Sequence, residues 1–218
     1  SSASAIVAGV TLARALIGDA DVLGRQEILE IGSHMEGHPD NVAPAVFGGA
    51  TVSWMNEETS EVGSVRLTPP EGINPVAFIP DFELRTAAAR AALPATVPHG
   101  DASFNVARGA LLAAVLSGGA QVSGGADLHA LLMEATRDRL HQEQRRAAME
   151  PSLALVDWLR GAGFAAVVSG AGPTVLSLEK VGADIRRDAA GAGWRVVPLA
   201  VAASGVQITR GSLAKVEF

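Results

Sequence analysis

The chain has 218 residues, 48% of them hydrophobic and 18% charged, with a formal net charge of −6. That length and apolar content suit one large or two small folded domains rather than a disordered chain. The acidic balance, without a run of Lys or Arg, argues against a nucleic-acid partner, and the absence of Cys excludes disulfide staples and thiolate metal sites. No uninterrupted apolar run is long enough to cross a bilayer. The opening residues lack the basic region of a signal peptide.

Ser1-Ser2-Ala3 opens a predicted helix over 3–17. Arg14 is its only charge, so it is expected to be buried on nearly all sides. No Met precedes it, so the sequence is expected to be a piece of a longer protein. Residues 18–21 read as a turn and 25–31 as a second helix. Next comes Glu36-Gly37-His38-Pro39-Asp40-Asn41, leading through an apolar run to Gly48-Gly49. Two prolines and three glycines stiffen or bend this stretch, and three polar side chains surround Pro39. On local spacing it reads equally as a binding site or as a helix N-terminus capped by Asp40 or Asn41.

A short helix over 42–47 should stop at the glycines. Residues 50–54 and 65–67 then alternate as strands around a loop at 56–60. A prolyl break at 69–72 and a strand over 75–80 follow, and the domain boundary is placed between 72 and 73. Helices are predicted over 86–92, 102–116, 126–136 and 151–160. Strands over 164–168 and 174–178 flank the loop Ser169-Gly170-Ala171-Gly172-Pro173. A helix over 181–192 and strands over 195–199 and 206–209 complete the chain. This order of elements is α+β.

Three features carry chemistry. A helix N-terminus with Ser1 and Ser2 offers free N–H groups to phosphate, although Ser is also an ordinary cap. The 169–173 loop allows close backbone approach, although a tight turn uses the same residues. Thr86 and Arg90 share a helix face, and Arg145 and Arg146 follow Arg137-Asp138-Arg139-Leu140-His141. Arginine suits carboxylate or phosphate, but a solvated charged surface is the plainer reading for most of them.

Taken in order, these motifs resemble the homoserine kinase family of the GHMP kinase superfamily. Glu36-Gly37-His38-Pro39-Asp40-Asn41-Val42-Ala43-Pro44 followed by Gly48-Gly49 is similar to that family's signature. Ser169-Gly170-Ala171-Gly172-Pro173-Thr174 is similar to the superfamily's C-terminal glycine motif, and Ser1-Ser2-Ala3 to the tail of its phosphate-binding motif. Thr86 with Arg90, Phe104-Asn105, and Asp138-Arg139-Leu140-His141-Gln142 with Arg145 also follow the family in order.

The resemblance implies a two-domain fold. A partial ribosomal S5 domain 2-like ATP-binding domain would span 1–72 and a ferredoxin-like domain 73–218. It implies transfer of the γ-phosphoryl group of ATP to the side-chain hydroxyl of L-homoserine, with Mg²⁺, in the cytoplasm, on the route to threonine. By the same resemblance Asp40, His38 and Asn41 are catalytic. Thr86, Arg90, Arg145, Gly170 and Gly172 bind substrate. Ser1, Ser2 and Ala3 hold the nucleotide phosphates, and Ser2 and Glu30 the metal. The residues before the second arginine pair depart from the family, leaving Arg145 and Arg146 as alternatives. The partners are homoserine and ATP, with no nucleic acid and no membrane; a homodimer is left open. The alternatives are another GHMP small-molecule kinase and a non-catalytic remnant that binds ligand without turnover.

Overall fold

The computed structural model describes residues 2–17, 23–119 and 125–209. Ser1 and the turn expected at 18–21 lie outside the described residues. The chain divides into two compact units, 1–68 with 202–218, and 69–201. The tail groups with the first unit, whereas the sequence reading keeps everything after 72 together.

The first unit holds α1 (Ser2–Ile17), α2 (Arg25–Glu36), α3 (Val42–Phe47), β1 (Ala50–Met55) and β2 (Val62–Leu67). α1 is apolar all round but buries only the stripe Ala3, Val7 and Thr11. Leu12, Leu16 and Ile17 are exposed, because α2 and α3 pack against one face only. The expected all-round burial is therefore not observed. α2 runs on to Glu36, past its predicted end at 31. It stops at Gly37, whose φ of 84° is left-handed and whose N–H bonds the Ser33 carbonyl, a helix end that favours glycine. β1 and β2 pair antiparallel with Ala50 opposite Leu67 and Met55 opposite Val62. Their turn is held by Asn56 Oδ1, which accepts from the N–H groups of Glu58 and Thr59.

Residues 206–209, predicted as a strand, are irregular. The Val206 N–H donates to the Ala45 carbonyl at 2.8 Å, the Gly49 N–H to Ala202 at 2.8 Å, and Arg66 Nη2 to Ala203 at 2.6 Å. The first of these acceptors is a late carbonyl of α3 and the other two are carbonyls of the tail itself, a scattered set and not the regular row a strand needs.

The second unit holds β3 (Val76–Ile79), α4 (Thr86–Ala91), α5 (His99–Leu116), α6 (Leu128–Ala135), a 3₁₀ helix (Glu143–Ala148), α7 (Glu150–Gly161), β4 (Ala166–Val168), β5 (Val175–Ser177), α8 (Ala183–Gly191) and β6 (Arg195–Pro198). The sheet order is β4-β5-β3-β6 with every pair antiparallel. The first strand of the unit thus lies between the third and fourth, as in the ferredoxin-like arrangement. Central β3 buries Val76, Ala77 and Phe78 in succession, which explains its unbroken apolar run. Phe78 packs with Met149, Leu153, Val156, Leu159 and Val175 in the core under α7. Each fully buried large side chain there contributes roughly 1.5–3 kcal/mol. β4 is an edge strand, so its outer N–H groups need partners from outside the sheet. Among the described residues no helix is long and apolar enough to cross a membrane.

Candidate functional site

In the first unit, Gly37 ends α2 and Pro39 is buried, so the polar residues on either side of Pro39 are held at the surface by a fixed backbone. His38 Nδ1 lies 2.6 Å from Asp40 Oδ1. That is ion-pair distance, but the ring nitrogen is not aligned as a hydrogen-bond donor. Asn41 Nδ2 donates to Asp40 Oδ1 at 3.3 Å. Neither Asp40 nor Asn41 caps α3. Asn41 occupies the cap position without a side-chain bond, and the Ala43 N–H goes to the Pro39 carbonyl. The capping alternative is therefore not what these side chains do. The Asp40 side chain is 71% exposed and open to a ligand.

Ser2 begins α1, and its hydroxyl donates to Glu36 Oε1 at 2.6 Å. Ala3 is fully buried. Glu30 Oε1 accepts from Gln26 Nε2 at 3.0 Å. The structure thus joins Ser2 to Glu36, which lies about 9 Å further along the α2 axis than Glu30. Among the described residues no cluster of three His, Asp or Glu forms a ready-made metal cage.

In the second unit the adjacent arginines separate. Arg145 is only 8% exposed. Its Nε donates to the Ala89 carbonyl at 3.2 Å and its Nη1 to the Gly170 carbonyl at 3.1 Å. Among the described residues no carboxylate pairs with it. Arg146 turns outward, gripping Glu143 at 2.7 and 2.8 Å and Asp157 at 3.0 Å. Those carboxylates, Glu143 foremost, hold its guanidinium protonated even more firmly than usual. Arg145 thereby ties α4 to the glycine loop. Thr86 and Arg90 lie on α4 and are exposed.

The loop between β4 and β5 is closed by the Ser169 N–H on the Thr174 carbonyl and by Ser152 Oγ on the Pro173 carbonyl. Gly172 has φ of 87°, and a Cβ there would lie 2.7 Å from Met149 Sδ, so the position requires glycine. A cavity of about 690 Å³ opens beside Arg145 and Gly170, walled by Val106, Leu112, Leu140 and Val168. Thr86 and Arg90 are not in its lining.

Asp138 is a structural centre whose role its sequence position does not reveal. Its carboxylate accepts from Asn105 Nδ2 at 2.7 Å, from the N–H groups of Gln142, His141 and Leu140 at 2.7, 2.8 and 3.3 Å, and meets His141 Nδ1 at 3.1 Å. Partial burial pushes the carboxyl up. The donors, led by the Gln142 N–H and Asn105, outweigh that and hold it at about 2.

Two family matches cover much of the chain. The family described as GHMP kinases N terminal domain matches residues 1–49, and the family described as GHMP kinases C terminal matches residues 111–190, together more than half of the chain. The chain belongs to the GHMP kinase family. Among the relatives of this GHMP kinase is the homoserine kinase of Streptomyces avermitilis, 44% identical over 95% of the chain and 65% of the relative. The homoserine kinase of Corynebacterium kroppenstedtii is 41% identical over 98% of the chain and 67% of the relative. The chain thus spans about two thirds of the length of the curated relatives that it matches. Among solved structures, homoserine kinase from Cytophaga hutchinsonii superposes with a TM-score of 0.78 at 22% identity, over 94% of the chain and 66% of that structure. A structure described as a putative homoserine kinase from Listeria monocytogenes gives 0.68 at 29% identity, over 97% and 69%.

Proposed function

We propose that this GHMP kinase transfers the γ-phosphoryl group of ATP to the side-chain hydroxyl of L-homoserine, giving O-phospho-L-homoserine, a step towards threonine. Arg145 carries the reading. A guanidinium buried with, among the described residues, only neutral carbonyl partners is costly. An anion beside it removes that cost, and the carboxylate of an amino acid supplies one in bidentate geometry. The names of the relatives agree with this substrate.

Phosphoryl transfer needs positioning and charge stabilisation more than covalent help. Arg145 grips the homoserine carboxylate, with Thr86 and Arg90 of α4 and the Gly170–Gly172 backbone contributing to its placement. Asp40 takes the hydrogen bond of the reacting hydroxyl. His38 and Asn41, in contact with Asp40, fix the direction of its carboxylate. Ser2 and Ala3 at the start of α1, with Ser1 before them in the sequence, offer N–H groups and serine hydroxyls to the phosphates.

A serine hydroxyl and a glutamate carboxylate are oxygen donors of the kind that suits Mg²⁺. Ser2 and Glu30 would hold it, and the ion would neutralise phosphate charge. Since the ion keeps several waters and phosphate oxygens, few protein ligands are needed. Glu30→Gln should raise the Mg²⁺ concentration for half-maximal rate about tenfold, and Glu36→Gln much less. The opposite order would transfer the metal role to Glu36, the glutamate that Ser2 touches. A cytoplasmic location belongs to the same reading.

The deciding assay measures ADP release by the full gene product with Mg²⁺ and homoserine, mevalonate or galactose. Turnover is expected with homoserine alone. No homoserine-dependent turnover overturns the reading, and turnover with mevalonate would reassign the acceptor within the GHMP kinases.

A further inference from the structure

We propose that Asp138 is a positioning residue, holding the turn before the 3₁₀ helix so that Gln142 and Arg145 grip β4 and the glycine loop in register. The substrate consequence rests on the homoserine reading above; the mechanical consequence does not.

The argument begins with the exposed edge of the sheet. Val168 is the last residue of edge strand β4, and an unpaired N–H there is costly when buried. Gln142 Oε1 accepts that N–H at 2.7 Å. Two residues further along the chain, the Gly170 carbonyl accepts from Arg145 Nη1. Gln142 immediately precedes the 3₁₀ helix and Arg145 lies three residues on. In a helix of three residues per turn, such a pair stacks on one face. One face of this short helix therefore meets the strand end and the loop after it at alternate residues.

A single 3₁₀ helix has weak internal bonds, so its placement depends on its start. Asp138 supplies that anchor. Its two oxygens collect the N–H groups of Leu140, His141 and Gln142, closing the turn. The Asn105 amide crosses from α5 to the same carboxylate, and Asn105 Oδ1 takes the Arg139 N–H at 2.9 Å. The turn is thereby fastened to an 18-residue helix. A charged acceptor of several donors is stronger than a neutral one, so asparagine is a poor replacement.

The experiment uses the full gene product and two variants, Asp138→Asn and Gln142→Ala, with Gln142→Glu as a rescue that retains the acceptor oxygen. Backbone hydrogen exchange at Val168 is read first, without substrate. Both variants should speed it at least tenfold, and Gln142→Glu should stay near the wild type. In steady-state assays both should raise the KM for homoserine about tenfold, while kcat and the KM for ATP change less than about threefold. Unchanged Val168 exchange in Asp138→Asn overturns the inference even if that variant is less stable overall. Faster exchange with an unchanged homoserine KM overturns its functional half. A wild type that exchanges normally but lacks homoserine turnover instead counts against the proposed function, and the exchange data still decide the role of Asp138.

Discussion

Asp40→Asn should lower kcat with homoserine about a hundredfold, while the KM for homoserine changes less than about threefold. The substitution keeps the shape of the side chain and removes its charge. In the ground state the hydroxyl can still bond an amide oxygen, so binding survives. As the hydroxyl oxygen becomes electron-poor towards phosphorus, the carboxylate strengthens its bond to the departing proton and the amide does not. That difference belongs to the transition state and appears in kcat. Carboxylates as a class are weak bases towards an alcohol, so orientation is part of the loss. The Asp40 side chain is 71% exposed and α3 does not rely on it as a cap. The melting temperature should therefore stay put, separating chemistry from folding. The measurement is ADP release at saturating ATP and Mg²⁺. An unchanged kcat would remove Asp40 from the reacting hydroxyl.

The sequence made some of this architecture legible and concealed the rest, for identifiable reasons. Alternation of apolar residues located β1, and the glycines at 48–49 marked the end of α3, because both signals are local. α1 misled because an apolar sequence does not say how many faces find neighbours; its Leu12 and Leu16 remain exposed. Val206 looks like a strand residue, yet its N–H meets the Ala45 carbonyl of α3 instead of a sheet edge. Arg145 and Arg146 are chemically identical in sequence. Consecutive residues of a 3₁₀ helix point about 120° apart, so one enters the interior and the next meets Glu143 and Asp157. Asp138 could be quoted as part of a motif but not given a task. Its donors include Asn105, 33 residues away, and backbone groups that no side-chain pattern records. The partner of Glu36 is equally invisible in the sequence, since its bond from Ser2 spans 34 residues.

Arg145→Ala should raise the KM for homoserine about a hundredfold, equivalent to ~3 kcal/mol, with a smaller effect on kcat. The size follows from burial. Arg145 is 8% exposed, so a carboxylate meeting it is drawn out of water into a site where charge pairs are weakly screened. Arg90 is exposed, and Arg90→Ala should raise the same KM by only about tenfold, because solvent screens its contribution. Arg146→Ala should leave KM unchanged, since its guanidinium is committed to Glu143 and Asp157. The cost to the unliganded protein should be modest. Truncating Arg145 leaves the Ala89 and Gly170 carbonyls without their donor, but it also removes a buried charge that has no counter-ion among the described residues. A thermal-shift titration therefore complements the kinetics. Homoserine should raise the melting temperature of the wild type by mass action, and this rise should vanish in Arg145→Ala at the same concentrations. If Arg146→Ala abolished the shift while Arg145→Ala retained it, the buried arginine would be structural and the carboxylate would have to bind at the outward-facing one.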